Sequence, residues 1–183
     1  MATQVIGIVG MPGSGKSTVS EILKDKYGAF RIHTHDFIKN FLKGRGIRVD
    51  GESMIMASLY IWLDYGDIPL IDWVQRQIIA KKPKLVVLDS LRTMEEVRYF
   101  KARYGKRFIL LAVVSPSQKR HSWLKKRMPN ITELELRIRD REELRLGVGD
   151  LIANADYYLD ASGSVENGTK QLEIIMKHIA KHK

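Results

Sequence analysis

The clearest chemical signal lies near the start of the chain, where residues 10–17 read GMPGSGKS and match G-x-x-x-x-G-K-[ST] at every fixed position. This spacing is typical of a loop whose backbone N–H groups surround nucleotide phosphates. Lys16 can then reach the β- and γ-phosphates, and the Ser17 hydroxyl can complete a Mg²⁺ shell. An ordinary glycine turn followed by a surface lysine is the alternative. The predicted nucleotide contacts in this loop are Gly10, Pro12, Gly13, Ser14, Gly15, Lys16, Ser17 and Thr18.

Two aspartates follow predicted strands and could take part in phosphate chemistry. Asp89 ends the apolar run 86–88, and a carboxylate there can hold Mg²⁺ directly or through water; a turn or helix cap is the alternative. Asp36 could orient or deprotonate an acceptor hydroxyl, or it could only cap the helix that follows. His33 and His35 are interpreted as polar residues of a cleft or loop.

Arginines supply the predicted cations. Arg92 could clamp the nucleotide or the acceptor through two hydrogen bonds, or it could form an exposed salt bridge. Arg137, Arg141 and Arg145 recur every four residues and so share one helix face, for which an ion-paired surface is the default interpretation. Phosphoryl transfer, however, needs cations that close over the γ-phosphate, so the segment at about 118–146 is predicted to be a lid. The predicted catalytic residues are Lys16, Asp36, Arg127, Arg137 and Arg141.

Apolar runs and helical periodicity predict the elements that position these residues. Strong strand patterns occupy 5–9, 84–88 and 108–114, and weaker ones 29–33 and 157–159. Helices are predicted at 17–27, 36–43, 54–65, 71–80, 94–104, 118–126, 133–146 and 165–179. The alternation predicts an α/β fold with a mainly parallel sheet covered on both faces and with ligands at the carboxyl ends of the strands. Residues 36–82 break the alternation as an excursion of about two helices.

Composition narrows the possible classes of protein. The 183 residues, 44% of them hydrophobic, suit one domain, 1–183. The absence of cysteine excludes disulfides and thiolate sites, and the five histidines show no metal-ligand spacing. No apolar run is long enough to span a membrane and no signal peptide is recognisable, so a cytoplasmic location is expected. The net charge of +10, with a Lys- and His-rich end at 177–183, suits polyphosphates and nucleic acid alike.

Together these residues resemble the nucleoside monophosphate kinase-like group of P-loop kinases, and more closely the archaeal proteins described as related to dephospho-CoA kinase or adenylate kinase. The resemblance covers nearly the whole chain. It implies a three-layer P-loop NTPase fold, with a five-stranded parallel sheet of order 2-3-1-4-5, helices on both faces and an Arg-rich lid. It is carried by the GMPGSGKS loop, Asp36, and the segments VVLDSLR, VVSPSQKR, DREELRLGVGDLIANAD and YYLDASGS.

The resemblance also implies roles for individual residues. Dephospho-CoA kinases are similar in having arginines at the positions of Arg127 and Arg137 and an Ala-Asp pair at 155–156. They commonly carry Asn-Ser-Gly after the last strand, whereas this chain has Ala-Ser-Gly at 161–163, so an asparagine contact to adenine would be missing. In these kinases the acceptor binds to the segment that corresponds to about 36–82, and no known acceptor pattern is recognisable there.

Two hypotheses for function follow. The leading one is an ATP- and Mg²⁺-dependent phosphotransferase that acts on a small nucleotide-like acceptor. A nucleoside monophosphate would not need Asp36 as a base, because its phosphate is already ionised, whereas a dephospho-CoA-like hydroxyl would. The alternative is a nucleotide-dependent switch or ATPase that works with RNA or a protein partner, although RNA is not favoured.

Overall fold

A computed structural model describes residues 2–181, so the predicted basic end at 177–183 lies partly outside the described residues. Five strands occupy β1 (Gln4–Val9), β2 (Phe30–His33), β3 (Leu85–Asp89), β4 (Phe108–Val114) and β5 (Tyr157–Asp160). The helices are α1 (Lys16–Tyr27), α2 (Thr34–Lys43), α3 (Gly51–Tyr65), α4 (Ile68–Lys81), α5 (Met94–Tyr104), α6 (Ser117–Arg127), α7 (Glu133–Arg145), α8 (Val148–Ala153) and α9 (Val165–Lys181).

The strands form one parallel sheet in the order β2-β3-β1-β4-β5, which confirms the predicted order. β1 is central, with Ile6 opposite Val87 on β3 and Ile109 on β4. Because all five strands run in the same direction, the loops that follow β1, β2 and β3 all leave the sheet at the carboxyl ends of the strands. The candidate site residues that follow those strands therefore lie at the same end of the sheet.

Two apolar layers cover the sheet, one on each face. Successive side chains of β1 point to opposite faces, so Val5 and Val9 pack with α4, α5 and α8, whereas Ile6 and Ile8 pack with α1 and α9. All six residues of β1 are buried. A strand that is buried on both faces needs a continuous apolar run instead of an alternation of apolar and polar residues. Residues 5–9, VIGIV, form such a continuous run.

Several helices differ from the prediction. The helices predicted at 36–43, 54–65 and 71–80 are all present as α2, α3 and α4, so the excursion holds three helices where about two were expected, and α2 begins at Thr34, two residues before the predicted start. The short helix α8 was not predicted, because six residues are too few to show a helical period. Between α5 and β4 the chain also forms one turn of 3-10 helix, Gly105–Arg107.

Within residues 2–181 no single helix is long and apolar enough to cross a membrane. The pair formed by α3 and α4, bent by 100°, matches a broken span by length and composition only.

Candidate active site

The phosphate-binding loop, residues 10–17, connects β1 to α1 and is packed closely against its neighbours. Gly15 has φ 97, in the left-handed region that favours glycine. A Cβ on Gly13 would lie 2.8 Å from the backbone oxygen of Arg120 on α6, so only glycine fits there. The start of α1 has no capping side chain and no acidic residue in its first turn. Its N–H groups are therefore available to an anion.

Lys16 is folded back over this loop. Its Nζ donates hydrogen bonds to the backbone oxygens of Gly10, at 2.7 Å, and Met11, at 3.1 Å. Burial lowers the pKa of Lys16 to about 8, while the negative charge of Glu143 acts in the opposite direction. Ser17 and Thr18, the next two residues, are exposed at the mouth of the loop. Lys16 therefore keeps most of its positive charge at pH 7, but it loses this charge above about pH 8 unless a bound anion stabilises it.

Asp89 lies at the end of β3 and is held by three hydrogen bonds to one oxygen atom. Its Oδ2 accepts from Ser20 Oγ at 2.9 Å, and from Nε and Nη2 of Arg31 at 3.1 and 2.6 Å. Arg31 also pairs with Glu21 on α1. Asp89 is therefore part of a network that joins β3 to β2 and α1, and it does not cap a helix.

The oxygen atoms near the loop suit a Mg²⁺ ion that arrives with a nucleotide. Among residues 2–181 no group of three or more His, Cys, Asp or Glu side chains is placed to hold a metal. Ser17 offers an exposed hydroxyl and Asp89 one carboxylate. Mg²⁺ commonly keeps several water molecules and takes its other ligands from one or two carboxylates and the substrate phosphates. The hydroxyl of Ser17 and the carboxylate of Asp89 are oxygen donors of the kind that such an ion takes.

Arg92 links the loop to the rest of the cleft. Its Nη2 lies 3.3 Å from Oε1 of Glu143 on α7, and its positive charge helps to lower the pKa of Lys16. The Nε of Arg92 is buried and has no hydrogen-bond partner among the described residues. Arg92 is thus a partly shielded cation close to Lys16, and its salt bridge is not the solvent-exposed kind that the sequence left open.

A second ion pair attaches α7 to the loop. Arg120 on α6 makes two hydrogen bonds of 2.8 Å to the carboxylate of Asp140 and a third, also 2.8 Å, to the backbone oxygen of Pro12. The carboxylate of Asp140 lies 3.0 Å from the His121 ring. Burial would raise the pKa of Asp140, but its bonds to Arg120 and His121 outweigh that effect and lower it.

The predicted lid arginines do not face the loop in this structure. Leu136 is fully buried, and Asp140 and Glu143, one and two turns later, point to the same side of α7. Arg137 and Arg141 each follow a residue of this buried side, which places them about 100° further round the helix, and both are exposed, as is Arg127 at the end of α6. The side of α7 that is turned to the loop therefore carries carboxylates, and an Arg-rich lid is not seen.

A cavity of about 140 Å³ opens beside Arg92, between the ends of β2 and β3 and the helices α2, α3 and α4. Its walls are mainly apolar, with Phe37, Leu59, Trp62 and Leu70 among them. The excursion that interrupts the alternation of strands and helices thus encloses a pocket next to the phosphate-binding loop.

Asp36 does not line this cavity. It lies in the first turn of α2, where its carboxylate is 52% exposed and pairs with Lys39 at 3.0 Å. The helix cap is His33, whose ring accepts a hydrogen bond from the backbone N–H of His35. The alternative role of Asp36 as a cap is therefore wrong, because α2 starts two residues earlier than predicted.

Three other titratable residues line the cavity. Burial lowers the pKa of His35 to about 4, helped by the charge of Arg92, so its ring is neutral at pH 7. Burial raises the pKa of Glu96 to about 7, although two backbone N–H groups donate to its carboxylate. Burial also raises the pKa of Asp67, which accepts a 2.6 Å hydrogen bond from Thr93. The polar part of the cavity therefore contains the neutral ring of His35, the carboxyl groups of Glu96 and Asp67 with their raised pKa values, and the cation of Arg92.

The segment after β5 lies against the loop. A Cβ on Gly15 would be 3.2 Å from the Cβ of Ala161, and Lys119 donates a 2.7 Å hydrogen bond to the backbone oxygen of Ser162. The Ala-Ser-Gly segment is thus close to the loop, where the resemblance expects the adenine contact.

Sequence reasoning missed several residues of this region, namely Ser20, Arg31, Asp67, Glu96, Arg120, Asp140 and Glu143. Some of them gave a recognisable signal. Arg31 is a charged residue within a strand pattern, and Glu143 lies in the segment DREELRLG, which was interpreted by its arginines and not by its carboxylates. The contacts of Asp67 with Thr93 and of Arg120 with Asp140 join distant parts of the chain, and no local sequence pattern predicts them.

A five-stranded parallel sheet of this order, with a phosphate-binding loop after its first strand, is the fold of the P-loop kinases. Comparison with solved structures gives a TM-score of 0.70 for TT1252 from Thermus thermophilus, at 18% identity and over 97% of this chain and 98% of that one. A gluconokinase from Sinorhizobium meliloti gives 0.64 at 13% identity over 99% and 97% of the two chains. The shikimate kinase from Acinetobacter baumannii gives 0.60 at 17% over 96% and 94%.

The chain belongs to the UPF0200 family. It is 32% identical to a UPF0200 protein of Saccharolobus islandicus over 98% of this chain and 95% of that protein. A UPF0200 protein of Pyrococcus abyssi is 31% identical over 96% of both chains. No protein-family model matches the sequence.

Proposed function

We propose that the chain is an ATP- and Mg²⁺-dependent phosphotransferase, acting in the cytoplasm, that transfers the γ-phosphoryl group to a small nucleotide-like acceptor. The observation that carries this proposal is the position of Arg92. Its side chain lines the apolar cavity and is also close enough to Lys16 to affect the pKa of that lysine. A group bound in the cavity would therefore meet a phosphate bound at the loop.

The nucleotide would bind through the backbone N–H groups of residues 10–17, with Lys16 on its β- and γ-phosphates. Ser17 and Asp89 would hold Mg²⁺, which neutralises the phosphate oxygens as charge develops on them. Lys16 would exchange its bonds to the loop carbonyls for bonds to phosphate. Since that contact restores its charge, binding should be accompanied by proton uptake at alkaline pH.

The acceptor would occupy the cavity between α2, α3 and α4. Its apolar walls suit a flat ring. They would suit a polyhydroxylated acceptor less well, because buried hydroxyl groups of such a ligand would lack hydrogen-bond partners. Arg92 would hold an anionic group of the acceptor, and a nucleoside monophosphate fits this description. Two of the structural neighbours are a gluconokinase and a shikimate kinase, and their substrates are properties of those proteins.

A dephospho-CoA-like acceptor would instead need a base for its hydroxyl group. Asp36 could serve only if its side chain turned from Lys39 towards the cavity. Arg127, Arg137 and Arg141 could reach the transferred group only if α6 and α7 moved over the loop. The proposed lid role therefore includes a conformational change, and the nucleoside monophosphate version of the proposal needs fewer rearrangements.

Thermal unfolding with Mg²⁺ and a non-hydrolysable ATP analogue, alone and with candidate acceptors, tests the proposal. A ligand at 100 times its dissociation constant should stabilise the protein by about 2.7 kcal/mol. The Lys16→Ala and Ser17→Ala variants should keep the fold and lose phosphoryl transfer, because both side chains serve the ligand. Near-wild-type turnover in either variant would refute the proposal. Acceptors can then be ranked by ADP formation, with gluconate and shikimate as polyhydroxylated controls.

A further inference from the structure

Glu143 places a carboxylate among the cations of the phosphate-binding region. Its Oε1 lies 3.3 Å from Nη2 of Arg92, and the two side chains are only 18% and 34% exposed. Charges that are partly shielded from water interact more strongly than a surface pair does. The Coulomb attraction within this pair is thus larger than in an ordinary exposed salt bridge, and the pair joins α7 to the chain that follows β3.

Lys16 belongs to the same cluster. Among the charges that act on its ammonium group, that of Glu143 is the largest, and it offsets part of the effect of burial. Asp89 is the other carboxylate that acts on Lys16, but its Oδ2 is already bonded to Ser20 and Arg31. Glu143 is therefore paired with Arg92 and also acts electrostatically on Lys16, whose Nζ is itself bonded to the carbonyls of Gly10 and Met11.

The position of Glu143 is fixed by the ion pair one turn earlier in α7. Asp140 is held by Arg120, which also donates to the backbone oxygen of Pro12 in the loop. Residues three apart share a helix face, so the contact that holds Asp140 also presents Glu143 to the loop. Just beyond the end of α7 that carries Glu143, the chain passes through Gly147, with φ 97.

We propose that Glu143 is an internal competitor of the nucleotide, whose carboxylate must leave Arg92 before a polyphosphate can bind to this arginine and to the neighbouring Lys16. The inference rests on the proposed function in that the nucleotide binds at residues 10–17. A polyphosphate and a carboxylate that share the cation Arg92 repel each other, so binding of the one disfavours the other. The observed affinity is then the intrinsic affinity multiplied by the fraction of molecules in which Glu143 has moved away.

Glu143→Gln tests this directly, because it keeps the size of the side chain and removes its charge. Glu142→Gln is the matched control, since Glu142 is the adjacent residue of the same helix, is exposed, and pairs with Arg145 at 2.9 Å. Calorimetric titration with ADP and with inorganic tripolyphosphate, each with and without Mg²⁺, gives the affinities. We expect Glu143→Gln to bind both probes roughly 5- to 50-fold more tightly than the wild type, within the usual range of coupling between sites, and Glu142→Gln to bind them as the wild type does.

Equal or weaker binding by Glu143→Gln would overturn the inference. If Glu143→Gln binds the probes more weakly only in the titrations that contain Mg²⁺, Glu143 is a metal ligand, and this result also overturns the inference. Glu143→Ala is the second variant, and a thermal midpoint for each variant establishes that it is folded. If the wild type binds ADP and the variants do not bind it more tightly, only this inference fails. If neither the wild type nor the variants bind any probe, the proposed function fails with it.

Discussion

Arg31 donates two hydrogen bonds to the same oxygen of Asp89, from Nε at 3.1 Å and from Nη2 at 2.6 Å. The side chain of Asp89 is 3% exposed and that of Arg31 21%. This contact joins the edge strand β2 to β3 at the end of the sheet where the phosphate-binding loop lies. Asp89 therefore has a structural partner in addition to its proposed part in holding Mg²⁺.

The Asp89→Asn variant should be less stable by about 1–3 kcal/mol, because Arg31 loses the buried one of its two carboxylate partners and keeps only the more exposed Glu21. Ser20→Ala, which removes one neutral donor to the same oxygen, should cost about 0.5–1.5 kcal/mol. Urea denaturation of both variants measures these differences. A double-mutant cycle with Arg31→Gln isolates the pair, and an Asp89→Asn variant as stable as the wild type would contradict this interpretation.

The same substitution should separate metal binding from nucleotide binding. If Asp89 holds Mg²⁺, Asp89→Asn lowers Mg²⁺-dependent turnover far more than it lowers Mg²⁺-free ADP affinity, because the lost charge faces the metal. The two quantities are compared in the same folded preparation. An equal loss of Mg²⁺-dependent turnover and of Mg²⁺-free ADP affinity would mean that Asp89 has a structural role and does not hold the metal.

Nucleotide affinity should fall at alkaline pH. Burial lowers the pKa of Lys16 to about 8, so above pH 8 the free protein loses the proton that the phosphate contact requires. The affinity for ADP should then decrease by up to about tenfold for each pH unit. Titrations between pH 7 and pH 9.5 measure the slope, and Lys16→Met, with no ammonium group, should show a much flatter profile. A wild-type affinity constant to pH 9.5 would contradict the low pKa.

Protein stability should depend on the protonation of Glu96. Burial raises the pKa of its carboxyl to about 7 from the ordinary value of 4.5. The folded protein therefore binds more protons than the unfolded one between these pH values, and this contribution to stability is lost as the pH rises through about 7. His33 and His35, whose pKa values are lowered by burial, act in the opposite direction, so only the difference between variants is informative. The free energy of unfolding of Glu96→Gln, relative to the wild type, should rise between pH 5 and pH 8; a constant difference would contradict the assignment.

Alanine variants of Arg92, Arg137 and Arg141 compare the cation near Lys16 with the exposed ones. We expect Arg92→Ala to lose more turnover than either other variant, because Arg92 is the one of these three arginines whose charge acts on Lys16. Arg137→Ala and Arg141→Ala should change stability by less than about 1 kcal/mol, as exposed charges do.

The kinetics of these variants also test the lid. A fall in kcat of about 10² or more for Arg137→Ala or Arg141→Ala, at unchanged ATP affinity, would mean that α7 turns its arginines over the phosphoryl group. Weaker RNA binding with a shallower salt dependence would favour the RNA-dependent switch instead.

The framework of the fold could be predicted from local signals. The run FILLAVV gave β4 at 108–114 to the residue, and Thr93 with Glu96 forms a capping box at the start of the helix predicted at 94–104. The direction in which the side chains of α7 point could not be predicted, because the repeat of Arg137 and Arg141 fixes only that they share a face. Which face meets the loop depends on Leu136 and on the ion pair between Arg120 and Asp140, which are tertiary contacts.

The central position of β1 has a consequence for biosynthesis. Among the described strands β1 pairs only with β3 and β4, so that Gln4 meets Leu85 and Val5 meets Phe108. A nascent chain therefore cannot complete the middle of its sheet until both of these later strands have left the ribosome. Contacts between such distant residues also slow folding, because a long loop must close first. The loop that follows β1 thus takes its final shape late in folding, and a fragment that ends before β4 would leave one side of β1 unpaired.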